Sequence, residues 1–500
     1  MELAHFSVVL FALVAVVASV AVAFVGVGKF AGTFLPGQFT ANQYATMVMG
    51  LTALYVVAGG MYSVVFTDVL QFVLLTVASV LIGLIAMGKV SGEAIAAATP
   101  ANWDTLRFGW KLSLDWSDFL PAANEAIRND GYALFAPFIA MALLKGILAS
   151  IAGPTPGYDM QRVLAAKDDR EASLMSGIVS LVLFVPRYFL IGGITALALI
   201  FYSDTLRGQE QPDWEQILPY VIENFVPVGL SGILLAGLFA AFMSTFDSTV
   251  NSGAAYLVID VFRRYIKPNA PKSMLMFASY AASITIVVVG VLIGWRATNI
   301  NDTIQWIVGG LYGGYAAPNV LKWIWWRLNA VGYFGGMVAG VVVALCITQK
   351  VAFMEWLSTA SPGLHESLLP VASNDVYLFP LLLGSSGLAA VVMSYMTKPD
   401  DEEVLKEFYR TVRPWGFWGP IRELVQKDDP NFQSDASFVR DMFNCGIGIA
   451  WQVALCALPV FVVIRKWPSA IACLVCIVVT MGVLKVNWYD RLEASSGRNT

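Results

Sequence analysis

The sequence predicts an all-α polytopic membrane protein with about twelve transmembrane helices. Hydrophobic residues make up 57% of the 500 residues and charged residues only 13%, whereas about a quarter of the residues in a soluble domain are charged. The mean hydropathy is +0.67, and apolar runs long enough to cross a bilayer recur along the chain. The sequence has only two histidines, which argues against a histidine-based metal site and a catalytic triad. Its five cysteines lie in or beside apolar runs, which argues against a disulfide framework.

The first apolar run, from Phe6 to Gly28, is uncharged and is not preceded by Lys or Arg. Since a signal peptide has a basic start and a shorter apolar core, this run is expected to be a true span. A polar loop over about 89–131 separates the third span from the fourth. The remaining spans are expected at about 43–57, 63–87, 132–163, 172–202, 228–266, 274–295, 300–325, 332–348, 376–396, 444–464 and 467–484.

The fourth expected span, 132–163, contains the stretch Gly153-Pro154-Thr155-Pro156-Gly157. Two prolines between two glycines remove hydrogen-bond donors and lower helix propensity, so a continuous helix is not expected here. A helix broken at membrane depth is typical of a transporter's solute site. The alternative is a helix that ends at Ala152 and is followed by a surface turn.

The span 228–266 differs from the others because one face carries hydroxyl groups. At a helical period a single stripe contains Ala241, Ser244, Thr245 and Ser248, and it is widened by Thr249 and Ser252. Small and hydroxyl residues commonly pack transmembrane helices together, which is one interpretation. The other is a dehydrated site for a hard cation such as Na⁺, favoured by the nearby carboxylate of Asp247.

The distribution of basic residues predicts the orientation of the chain. With Met1 in the cytoplasm, the basic loops 262–273 and 398–440 lie on the cytoplasmic side, as the positive-inside rule requires. The segment 398–440 is too charged to span a membrane and is expected to be a cytoplasmic, partly amphipathic connector.

Three motifs in order resemble the sodium:solute symporter family over roughly residues 6–350: GGMYSVVFTDVLQ (59–71), MQRVLAAKD (160–168) and FAAFMSTFDSTVNSGAAYLVIDVFRRYI (239–266). The resemblance implies an inverted repeat of five plus five helices, with solute and sodium held at the membrane midplane between broken helices. It implies Na⁺ as the co-transported ion.

The resemblance also implies which residues form the sites. The main sodium site would be formed by the carbonyl of Ala241 with Ser244 and Thr245. A second cation site, present in some members, would be formed by Asp68, Ser248 and Asp247. The solute cavity would include Gly153, Thr155, Gly157 and Tyr158.

In the family the GGxxxVxxTD motif begins much later in the chain than Gly59. The resemblance therefore implies that the run from Phe6 to Gly28 is the third core helix and that the first two core helices are missing. A chain that truly starts at Met1 is then expected to bind sodium poorly, and a truncated reading frame is expected. The chain divides into a symporter core (1–350), an additional transmembrane helix (351–397), the connector (398–440) and a C-terminal helix pair with a tail (441–500).

The expected function is sodium-coupled symport of a small polar solute across the cell's inner membrane by alternating access. Its partners would be the solute and the lipid bilayer, with no nucleic acid, and the sequence leaves the solute and the oligomeric state open. The alternatives are a proton-coupled transporter of the same fold, in which Asp68 or Asp247 carries the proton, and a non-transporting sensor or fragment. An enzyme is not expected, because the sequence has no HExxH motif and no GxSxG motif at the end of a span.

Overall fold

The computed structural model describes residues 2–492 except 36, 38, 105–108, 130–131, 154–162, 164, 209–213, 297–312, 349, 373–374 and 434–437. The described residues fold into helices joined by short connections and contain no strand, which confirms the predicted all-α class. The α-helices are α1 (Glu2–Phe34), α2 (Ala41–Lys89), α3 (Gly92–Ala97), α4 (Pro121–Asn129), α5 (Phe135–Ala152), α6 (Asp169–Phe201), α7 (Ser203–Arg207), α8 (Ile217–Phe225), α9 (Val228–Ala255), α10 (Lys272–Gly294), α11 (Gly313–Ile324), α12 (Ala330–Thr348), α13 (Lys350–Ala360), α14 (Pro362–Ala372), α15 (Asp375–Met396), α16 (Glu402–Val412), α17 (Gly419–Asp428), α18 (Phe438–Val463) and α19 (Trp467–Asn487).

Ten helices in the described part of the chain are long and apolar enough to cross a membrane. They correspond to ten of the twelve predicted spans. The predicted span at 300–325 lies largely outside the described residues, and its described part is α11. The predicted span at 43–57 is not a separate helix but the first part of α2, where helical structure continues through Gly59 and Gly60, the predicted end of that span.

The long helix α2 is bent. In a straight helix Ala41 and Leu75 would lie about 51 Å apart. However, Ala41 lies against Gly28 and Leu75 lies against Gly237. Gly28 belongs to α1 and Gly237 belongs to α9. These two helices lie close together, because Phe242 of α9, five residues from Gly237, packs against α1. Helix α2 therefore has two limbs, before and after the bend, which cover the predicted spans at 43–57 and 63–87 without an interruption between them.

Helix α9 lies in the main apolar core between α1, α2 and α10. Its residues Phe246 and Val250 pack with buried residues of the other three helices. Gly253 permits the close approach, because a Cβ atom at this position would lie 2.6 Å from Val16 on α1 and 2.7 Å from Ile286 on α10. Small residues such as Gly253 thus allow close packing on one side of α9, and the hydroxyl stripe lies on another side of the helix.

A π-helix, Tyr256–Ile266, continues α9 and links it to the start of α1. The Arg264 guanidinium donates to Glu2 at 2.6 Å, and the Tyr265 hydroxyl donates to the same carboxylate at 2.5 Å. His5 lies 3.4 Å from Asp260. The hydrophobic pattern predicted a helix in this region but not its wider π geometry.

The segment predicted as a connector contains α16 and α17, which form a small hairpin with its own apolar core. Lys406 lies at the centre of a charge network, at 2.9 Å from Glu402, 3.1 Å from Glu403 and 3.2 Å from Asp428. Hydrogen bonds to Glu402 and Glu403 raise the pKa of the Lys406 ammonium. The pair with Asp428, which also accepts from Arg410 at 2.9 Å, joins α16 to α17.

The hairpin docks on the C-terminal end of α11. The indole N–H of Trp418 donates to the carbonyl of Trp323 at 2.8 Å, and the backbone N–H of Phe417 donates to the carbonyl of Ile324 at 2.6 Å. The last carbonyls of a helix lack partners within the helix, so the hairpin acts as a cap for α11. Gly416 permits this contact, because its φ is 106° and a Cβ atom there would lie 2.5 Å from the Ile324 carbonyl oxygen.

Replacing Gly416 with Ala is expected to detach the hairpin from α11. The substitution forces a left-handed backbone on a residue with a side chain and creates a clash with a backbone oxygen, at a cost of about 1–3 kcal/mol. Limited proteolysis in detergent should cut the 398–432 region faster in Gly416→Ala than in wild type. Gly419→Ala is the matched control, because a Cβ atom added at Gly419 would have no neighbour within 4 Å. Equal cleavage rates for both variants would contradict the capping role.

Candidate functional site

The predicted site residues lie on the part of α9 that faces the second limb of α2. Gly237 brings the two helices together, since a Cβ atom there would lie 3.3 Å from the backbone of Leu75. Two turns further along α9, the Ser244 hydroxyl donates a hydrogen bond to the Asp68 carboxylate of α2. These two residues are 176 positions apart in sequence, and only the packing of α9 on α2 brings them together.

The structure pairs the predicted ligands differently from the prediction. Asp68, assigned to the second cation site, contacts Ser244, which was assigned to the main sodium site. Asp247 instead accepts a hydrogen bond from the neighbouring Ser248 at 3.4 Å, and both side chains are buried. The two assigned sites therefore share a contact between α9 and α2.

Ala241 and Thr245 lie one turn apart on the same face of α9. The Thr245 hydroxyl donates to the Ala241 carbonyl at 3.2 Å, and the Thr245 side chain is exposed. A hydroxyl that donates its proton keeps lone pairs available for another donor or a cation. The Thr245 hydroxyl is therefore placed where an incoming ion could reach it.

The hydroxyl stripe continues toward the π-helix through Thr249 and Ser252. Both side chains are buried, and within the described residues neither hydroxyl oxygen has a hydrogen-bond partner. Small residues such as Ser and Thr let neighbouring transmembrane helices approach closely, whether or not their hydroxyls bond across the interface. These two hydroxyls also place further polar atoms close to Ser248.

The candidate ligand atoms on α9 and α2 suit a hard monovalent cation. They are hydroxyl, carbonyl and carboxylate oxygens, which hard ions prefer over nitrogen or sulfur ligands. In the part of the chain that the structure describes, no group of three or more His, Cys, Asp or Glu residues could hold a metal ion.

The predicted solute cavity lies partly within the described residues. Helix α5 ends at Ala152, and Gly153 follows with φ 87°, a conformation that glycine adopts without strain. The Trp323 indole N–H donates to the Ala152 carbonyl at 3.4 Å, a contact that the sequence did not predict. Three of the predicted cavity residues lie outside the described residues: Thr155, Gly157 and Tyr158.

The helices define a multi-pass membrane protein, and side-chain oxygens of α9 and α2 meet between two of its spans. The model of the sodium:solute symporter family matches residues 3–340. Since this match covers more than half of the chain, the protein belongs to the sodium:solute symporter family. The resemblance stated from the three motifs is thereby confirmed.

Curated relatives include cotransporters of several sugars and polyols. The chain is 25% identical over 442 residues to the sodium/myo-inositol cotransporter of Bos taurus, covering 80% of this chain and 58% of the relative. It is 25% identical over 413 residues to the sodium/glucose cotransporter 4 of Danio rerio, covering 77% of this chain and 59% of the relative. The chain thus spans less than two thirds of the length of these relatives.

A solved structure with a similar fold is a substrate-bound outward-open state of a Na⁺-coupled sialic acid symporter. The TM-score is 0.53 at 19% sequence identity, covering 80% of this chain and 74% of that chain. At this identity the similarity establishes the fold alone, which agrees with the symporter architecture predicted from the motifs.

Proposed function

We propose that this protein takes part in sodium-coupled symport of a small polar solute by alternating access. The observation that carries the proposal is the contact between Ser244 on α9 and Asp68 on α2, with Thr245 and the Ala241 carbonyl beside it. Sodium bound among these oxygens would draw α9 and α2 into one arrangement, and a solute that binds that arrangement better would be coupled to the ion. The coupling is reciprocal in free energy.

The membrane potential sets the scale of this coupling. Each sodium ion that moves inward gains about 2.3 kcal/mol per 100 mV. One ion therefore supports roughly a fiftyfold solute gradient from a potential of 100 mV, before any sodium gradient is added. Transport would occur across the cell's inner membrane, with the N-terminus of the chain as given on the cytoplasmic side.

In this proposal the orientation of the chain in the membrane is consistent with its division into domains. The connector hairpin, α16 and α17, would lie in the cytoplasm together with the π-helix and the start of α1. The divisions 1–350, 351–397, 398–440 and 441–500 remain predictions, as does each residue's role in ion or solute binding.

Sodium titration of thermal stability in detergent tests the proposal. Sodium, but not potassium at equal ionic strength, is expected to raise the unfolding temperature, and Thr245→Ala is expected to raise the sodium concentration needed for half of the effect. Thr285→Ala is the matched control, because Thr285 is also exposed and also donates to the carbonyl four residues earlier. Equal responses to sodium and potassium in wild type would refute sodium coupling, and equal half-effect concentrations in wild type and Thr245→Ala would remove Thr245 from the site.

A proton-coupled transporter of the same fold is the second candidate. The observation that favours it is the fully buried carboxylate of Asp247, because a buried carboxylate at membrane depth is a common proton carrier. Solute binding measured over a range of pH at fixed sodium, and over a range of sodium at fixed pH, separates the two candidates. A dependence on pH without a dependence on sodium would support the proton-coupled alternative.

A further inference from the structure

The hairpin of α16 and α17 presents two aromatic side chains at its turn. Phe417 is 71% exposed and Trp415 is 40% exposed. The backbone of the turn is held in place, because the Phe417 N–H donates to the Ile324 carbonyl and the Trp418 indole donates to the Trp323 carbonyl. The turn therefore keeps both rings at the protein surface, and exposed apolar groups gathered in one place indicate a contact surface.

The turn lies level with the ends of two spanning helices. The Trp415 ring packs against Phe438, the first residue of the spanning helix α18, with the ring centroids 4.7 Å apart. Trp325 forms a backbone bridge with Phe417, and its ring packs against Tyr395 near the end of the spanning helix α15. Rings at the ends of spans lie at the depth of the lipid headgroups, where aromatic residues form belts in membrane proteins.

The opposite end of the hairpin is charged. Glu402 and Glu403 at the start of α16 and Asp428 at the end of α17 pair there with Lys406. Helix α16 has 11 residues, so its start lies about 16 Å from the aromatic turn at its other end. Since charged groups are costly to move into lipid, the hairpin is suited to stand with its turn in the membrane surface and its charged end in water.

Attraction to acidic lipids does not account for such an orientation. The segment 398–432 contains six basic and eight acidic residues, so it carries a net negative charge. The contact must therefore come from the apolar rings, which lose water-exposed surface in the interfacial layer whatever the charge of the headgroups. This chemistry favours a lipid surface of any headgroup charge as the partner.

We propose that the aromatic turn, Trp415 and Phe417, inserts together with Phe438 into the interfacial layer of the bilayer leaflet at this end of the spans. The hairpin is then a lipid-bound anchor, and zwitterionic phospholipid is sufficient to bind it. In the proposed orientation this is the cytoplasmic leaflet. The anchor fixes the hairpin from a second side, in addition to its contact with α11, and it is independent of sodium coupling.

Site-specific fluorescence in vesicles tests this contact on the full chain. The five cysteines are replaced with serine, Phe417→Cys is labelled with an environment-sensitive fluorophore, and the protein is reconstituted in phosphatidylcholine. Lipids that carry a nitroxide near the headgroup are expected to quench this label several-fold more strongly than aqueous iodide does. The result should be the same when phosphatidylglycerol is added to the vesicles. If the cysteine-free protein does not stay monodisperse, Phe417→Trp in the native background is measured against wild type with brominated lipids.

Two further positions calibrate the result. Val439→Cys, at a residue 77% exposed on α18, reports contact with lipid, and Gln426→Cys, at an exposed residue toward the charged end of α17, reports water. A label at position 417 that iodide quenches as strongly as the label at 426 would overturn the inference, because the turn would lie in water. A label shielded from both quenchers would also overturn it, because a second copy or another protein would then cover the rings. Lipid quenching that requires phosphatidylglycerol would contradict the apolar basis of the contact.

Discussion

Gly340→Ala is expected to destabilise the protein more than any other glycine substitution named here. A Cβ atom at Gly340 would lie 2.1 Å from the Cα atom of Gly314 and 2.8 Å from its backbone nitrogen. The obstacle is backbone and cannot rotate away, so α12 must move off α11. Overpacking of this kind costs about 3 kcal/mol, and small residues at such crossings are what allows close helix packing in membranes.

The unfolding temperature is measured in detergent from the fraction of protein that stays monodisperse after heating. The matched control is Gly384→Ala on α15, where nothing lies within 4 Å of the added atom. The two substitutions change composition and helix propensity equally. Similar unfolding temperatures for the two variants would mean that α11 and α12 do not cross as closely as the structure indicates.

Asp68→Asn is expected to weaken ion binding more than the loss of any neutral oxygen ligand. The asparagine keeps an oxygen that can accept from the Ser244 hydroxyl, so the contact between α2 and α9 is preserved. The substitution removes the negative charge, and a carboxylate ligand contributes most of the electrostatic attraction in a site of otherwise neutral oxygens. The sodium concentration for half-maximal stabilisation should rise at least about tenfold, which corresponds to about 1.4 kcal/mol.

The comparison variant is Glu125→Gln, which makes the same charge change on the exposed helix α4. Its sodium dependence should equal that of wild type. If Asp68→Asn also retains the wild-type sodium dependence, Asp68 is not an ion ligand and its role is limited to holding α2 against α9. A parallel titration with potassium distinguishes a specific loss of sodium binding from a general loss of stability.

Trp323 connects two regions that the sequence treated separately. Its indole bonds to the end of α5, and its carbonyl accepts from Trp418 of the connector hairpin. A movement of the hairpin would therefore reach the end of α5 through a single residue. Gly416→Ala, which is expected to detach the hairpin, therefore tests whether the hairpin affects solute binding as well as protease sensitivity.

Local patterns in the sequence were sufficient for the class of protein and for the site helix. Hydropathy located ten of the spanning helices, because burial in lipid requires apolar runs of a length that any window of sequence reveals. The helical period placed Ser244 and Ser248 near one face of α9, because residues four positions apart lie one above the other on a helix. Three ordered motifs were enough to indicate the family, which the match over residues 3–340 established.

Which of these residues meet depends on the packing of the helices. The bond between Ser244 and Asp68 joins two helices far apart in sequence, and the bond from the Asn319 amide to the Tyr333 hydroxyl joins α11 to α12. The uninterrupted helix α2 through Gly59 and Gly60 and the π geometry after α9 were also not predicted from the sequence. Hydropathy and helical period report a residue's own helix, whereas partners are chosen by packing between helices that are distant in the chain. Sequence patterns were therefore enough to indicate a symporter-like membrane protein with a polar site helix, and the contacts within that site followed from how its helices pack.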